Sequence, residues 1–202
     1  MVKNSIVEFI MKVEEISKVG LMYSTDPYAR DNYEQLQKLA KTFIADQMNI
    51  DLESGNFFAR DIYPTPNVSV RTIVFNKERN KVLLVREKSD GGFSLPGGWA
   101  ELCYSPSESA LKEVWEEAGS KCKLVRLVGV FDRYNNVKTT GIPEYMIAYE
   151  GEIVEEVNEP CFEIIEKGFY PIDDLPQWSA KNNPVQMEKI IAAAIKKETL
   201  FD

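Results

Sequence analysis

The 202-residue chain contains no histidine. That absence excludes a Ser-His-Asp triad, a Cys-His nucleophile pair and zinc held by imidazole. Proton transfer near neutral pH then falls to a carboxylate, to water activated by a metal, or to lysine or tyrosine. Cysteine is scarce too. Cys103, Cys122 and Cys161 are scattered, odd in number and form no C-x-x-C, so they read as reduced thiols and not as a disulfide framework. Cationic surplus is also missing: 24 Lys and Arg stand against 32 Asp and Glu, for a net charge of −8 and a pI near 4.8. Extended nucleic acid requires phosphate-neutralising surface, so it is not expected as a partner. No apolar run is long enough to span a bilayer, so no membrane partner is expected. The N-terminus MVKNSIVEFIMKVEE breaks its apolar positions with charges, which suits an amphipathic helix and not a signal peptide. A cytoplasmic protein is expected.

What is present concentrates between Gly97 and Gly119, GGWAELCYSPSESALKEVWEEAG. Pro96-Gly97-Gly98 opens a loop in which the backbone can approach a metal or phosphate without side-chain obstruction. Ser105 is placed to cap a helix, Pro106 occupies its first position, and Glu108 completes a Ser-x-x-Glu capping box. Gly119 is the residue type that ends one. Ala110, Leu111, Val114, Trp115 and Ala118 form an apolar stripe, with Glu113, Glu116 and Glu117 clustered beside it at the rim of a core. No Lys or Arg follows these glutamates at i+4, since Lys121 lies beyond Gly119, which argues against an ordinary salt-bridged face. Three clustered carboxylates call for a cation, and hard oxygen ligands suit Mg²⁺ or Mn²⁺.

The segment resembles the signature of the Nudix hydrolases, G-x₅-E-x₇-R-E-U-x-E-E-x-G-U with U a bulky aliphatic. Gly98 is its first glycine, Lys112-Glu113 its R-E pair, Val114 its aliphatic, Glu116-Glu117 its E-E pair and Gly119 its last glycine. Tyr104 stands in place of the loop Glu, Lys112 in place of Arg and Ser120 in place of the final aliphatic. Tyr104 is no substitute for a carboxylate toward a hard cation, although Glu101 remains available nearby; Lys112 keeps the charge without the forked geometry of Arg. The resemblance implies metal-dependent hydrolysis of a nucleoside diphosphate linked to another group X. It implies Glu113 and Glu117 as metal ligands, with Glu116 a third ligand, an anchor or a proton acceptor, and a carbonyl from the loop beginning at Gly98 beside them. Glu144, Glu150 and Glu163 are alternative bases. Arg71, Arg86 and Arg133 are candidates to neutralise substrate phosphates, and Trp99, Phe131 or Tyr134 to stack a base or cationic head group.

The rest of the chain falls into two patterns. From Ile6 to about Gln47 two helical stripes appear: Ile6, Phe9, Ile10, Val13 and Ile16, ended near Gly20, then Tyr33, Leu36, Leu39, Ala40, Phe43 and Ile44 after a start at Asp26-Pro27. Two such helices cannot bury both stripes alone, so residues 1–50 are expected to pack on the main domain or on a second copy, as a homodimer. Residues 51–66 read as a connector. Strands are expected at Val68–Phe75, Lys81–Val85, Phe93–Leu95, Lys123–Tyr134, Tyr145–Ile153 and Phe162–Tyr170, and a last helix at Val185–Lys197. This order predicts an α+β fold with a mixed sheet between helices over residues 67–202, and the resemblance implies the same α/β/α sandwich. The pieces Gly20–Tyr23, Asp26–Glu34, Val70-Arg71, Ser94–Trp99 and Asp132-Arg133 look like a subgroup with a helical N-terminal extension, which includes bacterial CDP-choline pyrophosphatases. A small-molecule nucleotide such as CDP-choline is thus the expected substrate. A ligand-sensing Nudix module without catalysis, an ADP-ribose or nucleotide-sugar pyrophosphatase and an RNA-end hydrolase are the alternatives.

Overall fold

A computed structural model describes residues 6–48, 66–133, 144–157 and 163–201. The chain divides into two compact units, Met1–Thr65 and Pro66–Asp202. The expected connector (but for Pro66), Tyr134, Cys161 and Phe162 lie outside the described residues.

In the first unit, helices α1 (Ile6–Tyr23) and α2 (Pro27–Met48) pack on each other. Asp26 caps α2, accepting from the N–H groups of Tyr28 and Ala29 at 3.3 and 3.2 Å. Arg30 closes the end of α1, donating to the carbonyls of Leu21 and Ser24. Gly20 does not stop α1 as expected. It lies inside the helix because a Cβ there would meet the Tyr33 ring at 2.5 Å, so the missing side chain admits α2. Phe9, Ile16, Leu36 and Leu39 stay exposed.

The second unit carries β1 (Asn67–Val74), β2 (Lys81–Glu87), β3 (Phe93–Ser94), α3 (Pro106–Ala118), β4 (Ser120–Asp132), β5 (Glu144–Glu156), β6 (Ile164–Pro171), α4 (Pro184–Lys196) and β7 (Leu200–Phe201). There are two sheets where one was expected. One is mixed, in the order β1-β5-β4-β7, with β1–β5 and β4–β7 parallel and β4–β5 antiparallel. The other is antiparallel, in the order β3-β2-β6. Alternation along β1 and β2 explains the layering. Ile73, Val82 and Leu84 join the core containing Met187, Ile190 and Ile191 of α4. Their neighbours Val74, Leu83 and Val85 join Val114 and Ala118 of α3. Strands buried on both faces therefore lie between two helices, an α+β sandwich, and the apolar run VLLV of β2 is what such a strand requires.

Helix α3 forms as its caps dictate. Ser105 accepts from the Glu108 N–H while the Glu108 carboxylate accepts from the Ser105 N–H, and Gly119 adopts the left-handed conformation at φ 54°. Trp115 departs from the expected stripe: it is 40% exposed, while Ala110, Val114 and Ala118 are buried.

Candidate active site

The loop from Pro96 to Ala100 runs along the free edge of β1. The Val70 N–H donates to the Gly98 carbonyl, Thr72 to Pro96, and Ala100 to the Val68 carbonyl, all at 2.8–2.9 Å. These bonds hold the glycine pair against α3. Gly97, at φ 149°, passes so close to the Val70 carbonyl that any side chain would collide with it. Its N–H donates to Glu117 Oε2 at 2.8 Å. A Cβ on Gly98 would come within 2.7 Å of Glu113 Oε1. The two glutamates thus converge on a stretch of backbone with no side chains, and that stretch is the centre of the candidate site.

Burial pushes both carboxyls up to about 7. Lys112 and Arg71 pull Glu113 down in part, and the Gly97 N–H does so for Glu117, while the Glu113 charge raises Glu117 further. Two acids held this close and this dry resist ionising together, and a cation between them would relieve both penalties.

Cations line the other side. Arg71 is buried, donates to the Val70 carbonyl at 2.8 Å, and keeps its Nε without a partner among the described residues. Burial and neighbouring Arg133 press its guanidinium below its usual range, against the pull of Glu117, Glu144 and Glu113. Arg133 is also buried, pairs with Glu144 at 2.8 Å, and keeps its own Nε unpartnered among the described residues. The Ser69 hydroxyl donates to the same Glu144 carboxylate. Half-exposed Trp99 sits next to Gly98, its backbone bridged to Ser69.

Several expected members are placed elsewhere. Glu116 lies near enough for its charge to raise Glu113, but its carboxylate is engaged by a lysine. Lys112, four residues before it, pairs with Glu116 at 2.5 Å and with Glu101 at 3.1 Å. The expected lack of a basic partner fails at Glu116, because its partner stands four residues before it and not after it. Arg86 is not brought to the carboxylates: it donates to the Gly91 carbonyl, pairs with Glu166 at 3.5 Å and lies over the Phe93 ring. Phe131 is core. Glu150 is held by Arg79 and Arg126 (2.7 and 2.8 Å), whose guanidiniums also cap the carbonyls ending α4. Glu163 is exposed beside Lys88. The sequence also carried no sign of the pair formed by Glu87 and Lys181 at 2.6 Å. The Lys181 charge also acts on Glu117. No local pattern announces a pair so distant in sequence.

Among the described residues no three acidic, cysteine or histidine side chains converge as a ready-made metal centre. The donor set nevertheless fits Mg²⁺, which keeps several waters and is commonly held by one or two carboxylates together with substrate phosphates. Glu113 and Glu117 supply the carboxylates, and the bare Gly97-Gly98 backbone leaves the space.

Residues 65–193 match the NUDIX domain family. The chain belongs to the Nudix family. Residues 4–55 match the family described as UDP-X-like, N-terminal oligomerisation domain. YjhB of Bacillus subtilis strain 168, provisionally named an ADP-ribose pyrophosphatase, is 34% identical over 96% of both chains. The crystal structure of a UDP-X diphosphatase is similar over 96% of both chains, at 27% identity and a TM-score of 0.63. An ADP-ribose pyrophosphatase from Streptococcus suis is similar over 68% of this chain and all of its own, at 30% identity and a TM-score of 0.60. The Nudix domain here is that of a pyrophosphatase enzyme. No helix among the described residues is long and apolar enough to cross a membrane.

Proposed function

We propose that this Nudix enzyme hydrolyses the diphosphate linkage of a nucleoside diphosphate linked to X, with Mg²⁺ or Mn²⁺, releasing a nucleoside monophosphate and phosphorylated X. One observation carries the proposal: Glu113 and Glu117 face a side-chain-free backbone, with ionisation displaced to about 7. Such a pair is poised for a hard divalent cation. When bound, that ion would neutralise phosphate oxygens and acidify a water. The chain's own groups do the remainder. The Gly97 N–H fixes the direction of Glu117. Lys112 ties Glu116 to Glu101, steadying the exposed flank of the helix. Arg71 and Arg133 offer unpartnered N–H groups to anionic oxygens, and Glu144 holds Arg133 in place. In Arg-phosphate recognition such donors favour the charge that develops on a leaving phosphate.

CDP-choline, ADP-ribose and UDP-sugars share the linkage this site would cleave, and the named relatives are assigned to ADP-ribose and UDP-X. A panel of these compounds with nucleoside triphosphates, scored by product identity, tests the reaction. Release of a nucleoside monophosphate from the diphosphates is expected. Activity on triphosphates alone, or on none of them, would refute it. The exposed Phe9, Ile16 and Leu39 and the description of the matching N-terminal family support self-association as a homodimer through the helical unit. Light scattering on Leu39→Glu should then report monomers where the parent reports dimers.

A further inference from the structure

The Arg133 guanidinium is held from two sides. Nη1 donates to Glu144 Oε1 at 2.8 Å, and the Ser69 hydroxyl donates to the same oxygen. The backbone of Ser69 is bridged to that of Trp99, next to Gly98. Hydrogen bonds therefore connect Arg133 to the edge of β1 that carries the glycine loop. On the other side, Nη2 donates to the carbonyl of Lys181. A backbone carbonyl orients a guanidinium without neutralising its charge.

That carbonyl is itself oriented by Asn182. The Lys181 C=O and the Asn182 N–H belong to one planar peptide unit, and this N–H donates to the Ser179 carbonyl at 2.9 Å. The buried Asn182 side chain donates through Nδ2 to Ser94 Oγ at 2.8 Å and to the Phe93 carbonyl at 3.3 Å. From Ser94 the chain runs through Leu95 and Pro96 into the glycine pair. Asn182 thus joins the arginine at the end of β4 to the strand that leads to Gly97. Neighbouring ties do not replace it. Asp90 accepts from the Ser179 hydroxyl and the Ala180 N–H, and the Ser179 N–H donates to the Phe93 carbonyl, which fixes the chain up to Ala180. The flexible Lys181 side chain, paired with Glu87 at 2.6 Å, does not set the plane of the next peptide.

The Asn182 amide is only half satisfied. The Phe93 carbonyl accepts and cannot donate, so the amide nitrogen faces it. Oδ1 is left buried without a hydrogen-bond partner among the described residues. A buried acceptor without a donor costs stability. What the amide supplies in return is geometry.

We propose that Asn182 is a positioning residue, which fixes the Lys181 carbonyl and so aims the Arg133 guanidinium at a phosphate of the diphosphate substrate. The proposal rests on the reaction proposed above. The glycine loop is held separately by its bonds to Val68, Val70 and Thr72. Loss of Asn182 therefore loosens the arginine and leaves Glu113 and Glu117 in place.

Calorimetric titration with methylene diphosphonate and Mg²⁺ tests this with a non-hydrolysable diphosphate that carries neither base nor X. Asn182→Ala should bind the probe about tenfold more weakly than the parent, the scale of one charge-assisted hydrogen bond. It should bind Mg²⁺ alone as the parent does. Ser94→Ala, a smaller truncation that removes one acceptor of Nδ2, should fall between them. The double variant Arg133→Met/Glu144→Gln strands no buried carboxylate and has no guanidinium to aim, so adding Asn182→Ala to it should weaken the probe no further. A merely structural Asn182 would weaken the probe equally in both backgrounds, or weaken Mg²⁺ as well; either result overturns the proposal. Unchanged probe binding by Asn182→Ala, or no probe binding by the parent, overturns it too. Should Asn182→Ala fail to fold, Ser94→Ala carries the same comparison in both backgrounds. The reaction is judged separately: a parent that binds the probe as expected but releases no nucleoside monophosphate from any diphosphate sinks the reaction and keeps the role of Asn182.

Discussion

Replacing Glu117 by Gln should make the metal-free protein more stable at pH 8, even as it removes activity. A solvated glutamate would make this a stability-neutral change, but the Glu117 carboxyl is largely buried. Its folded value is about 7 against 4.5 ordinarily. The folded protein therefore binds more protons than the unfolded chain between those values. Stability attributable to this group is fully present below about pH 4.5, falls as pH rises, and is lost once pH passes about 7. The full displacement corresponds to about 3 kcal/mol, and partial exposure and coupling to Glu113 reduce the expected gain to about 2 kcal/mol. Glutamine keeps an oxygen to accept from the Gly97 N–H and carries no charge to desolvate. For a unit of this size that gain is about 6 °C in Tm. Thermal melts in chelator at pH 5 and pH 8 measure it: the gain should appear at pH 8 and shrink to a small fraction at pH 5. Addition of Mg²⁺ should raise the Tm of the parent and leave that of the variant nearly unchanged. A variant less stable than the parent at pH 8, or one equally stabilised by Mg²⁺, would refute the electrostatic reasoning.

Three further outcomes follow from contacts at the site. Gly98→Ala places a methyl 2.7 Å from Glu113 Oε1; the carboxylate tip can swing away, so Tm should hold while Mg²⁺ affinity, read by calorimetry, falls about tenfold. Arg133→Met leaves Glu144 buried with its ion-pair partner gone, which should cost about 3 kcal/mol in denaturant unfolding, much of it restored by adding Glu144→Gln. Lys112→Met releases Glu116 and Glu101; the partly exposed pairs are worth under about 1 kcal/mol to folding, so melts should barely move while kcat drops.

The parts legible in the sequence are those whose signals are local. Helix α3 could be bounded almost to the residue because Ser105, Pro106, Glu108 and Gly119 each act within one turn of backbone. Strands β1 and β2 were visible as apolar runs, and the glycine pair beside the glutamates marked the site. What escaped depends on contacts made across the fold. Arg86 and Glu87 are neighbours in sequence, yet a register shift falls between them in the β2–β6 pairing, and they find different partners, Glu166 and Lys181. Gly20 looks like a helix stop until the Tyr33 ring is seen against it. The two-residue strand β7 exists only because β4 offers an edge beside it. Lys112 is a different case: its i,i+4 spacing to Glu116 is a local signal, legible in the sequence with the cation on the N-terminal side of the pair.

The most direct measurement is the number of protons released when Mg²⁺ binds at pH 6.5, obtained by calorimetry in buffers of different ionisation enthalpy. Carboxyls held at about 7 are largely protonated there, so a cation seated between Glu113 and Glu117 must expel about one proton or more. Release on that scale, lost in Glu117→Gln, is the predicted result. Binding with no proton released, or release that persists unchanged in the variant, would place the metal elsewhere and contradict the proposed site.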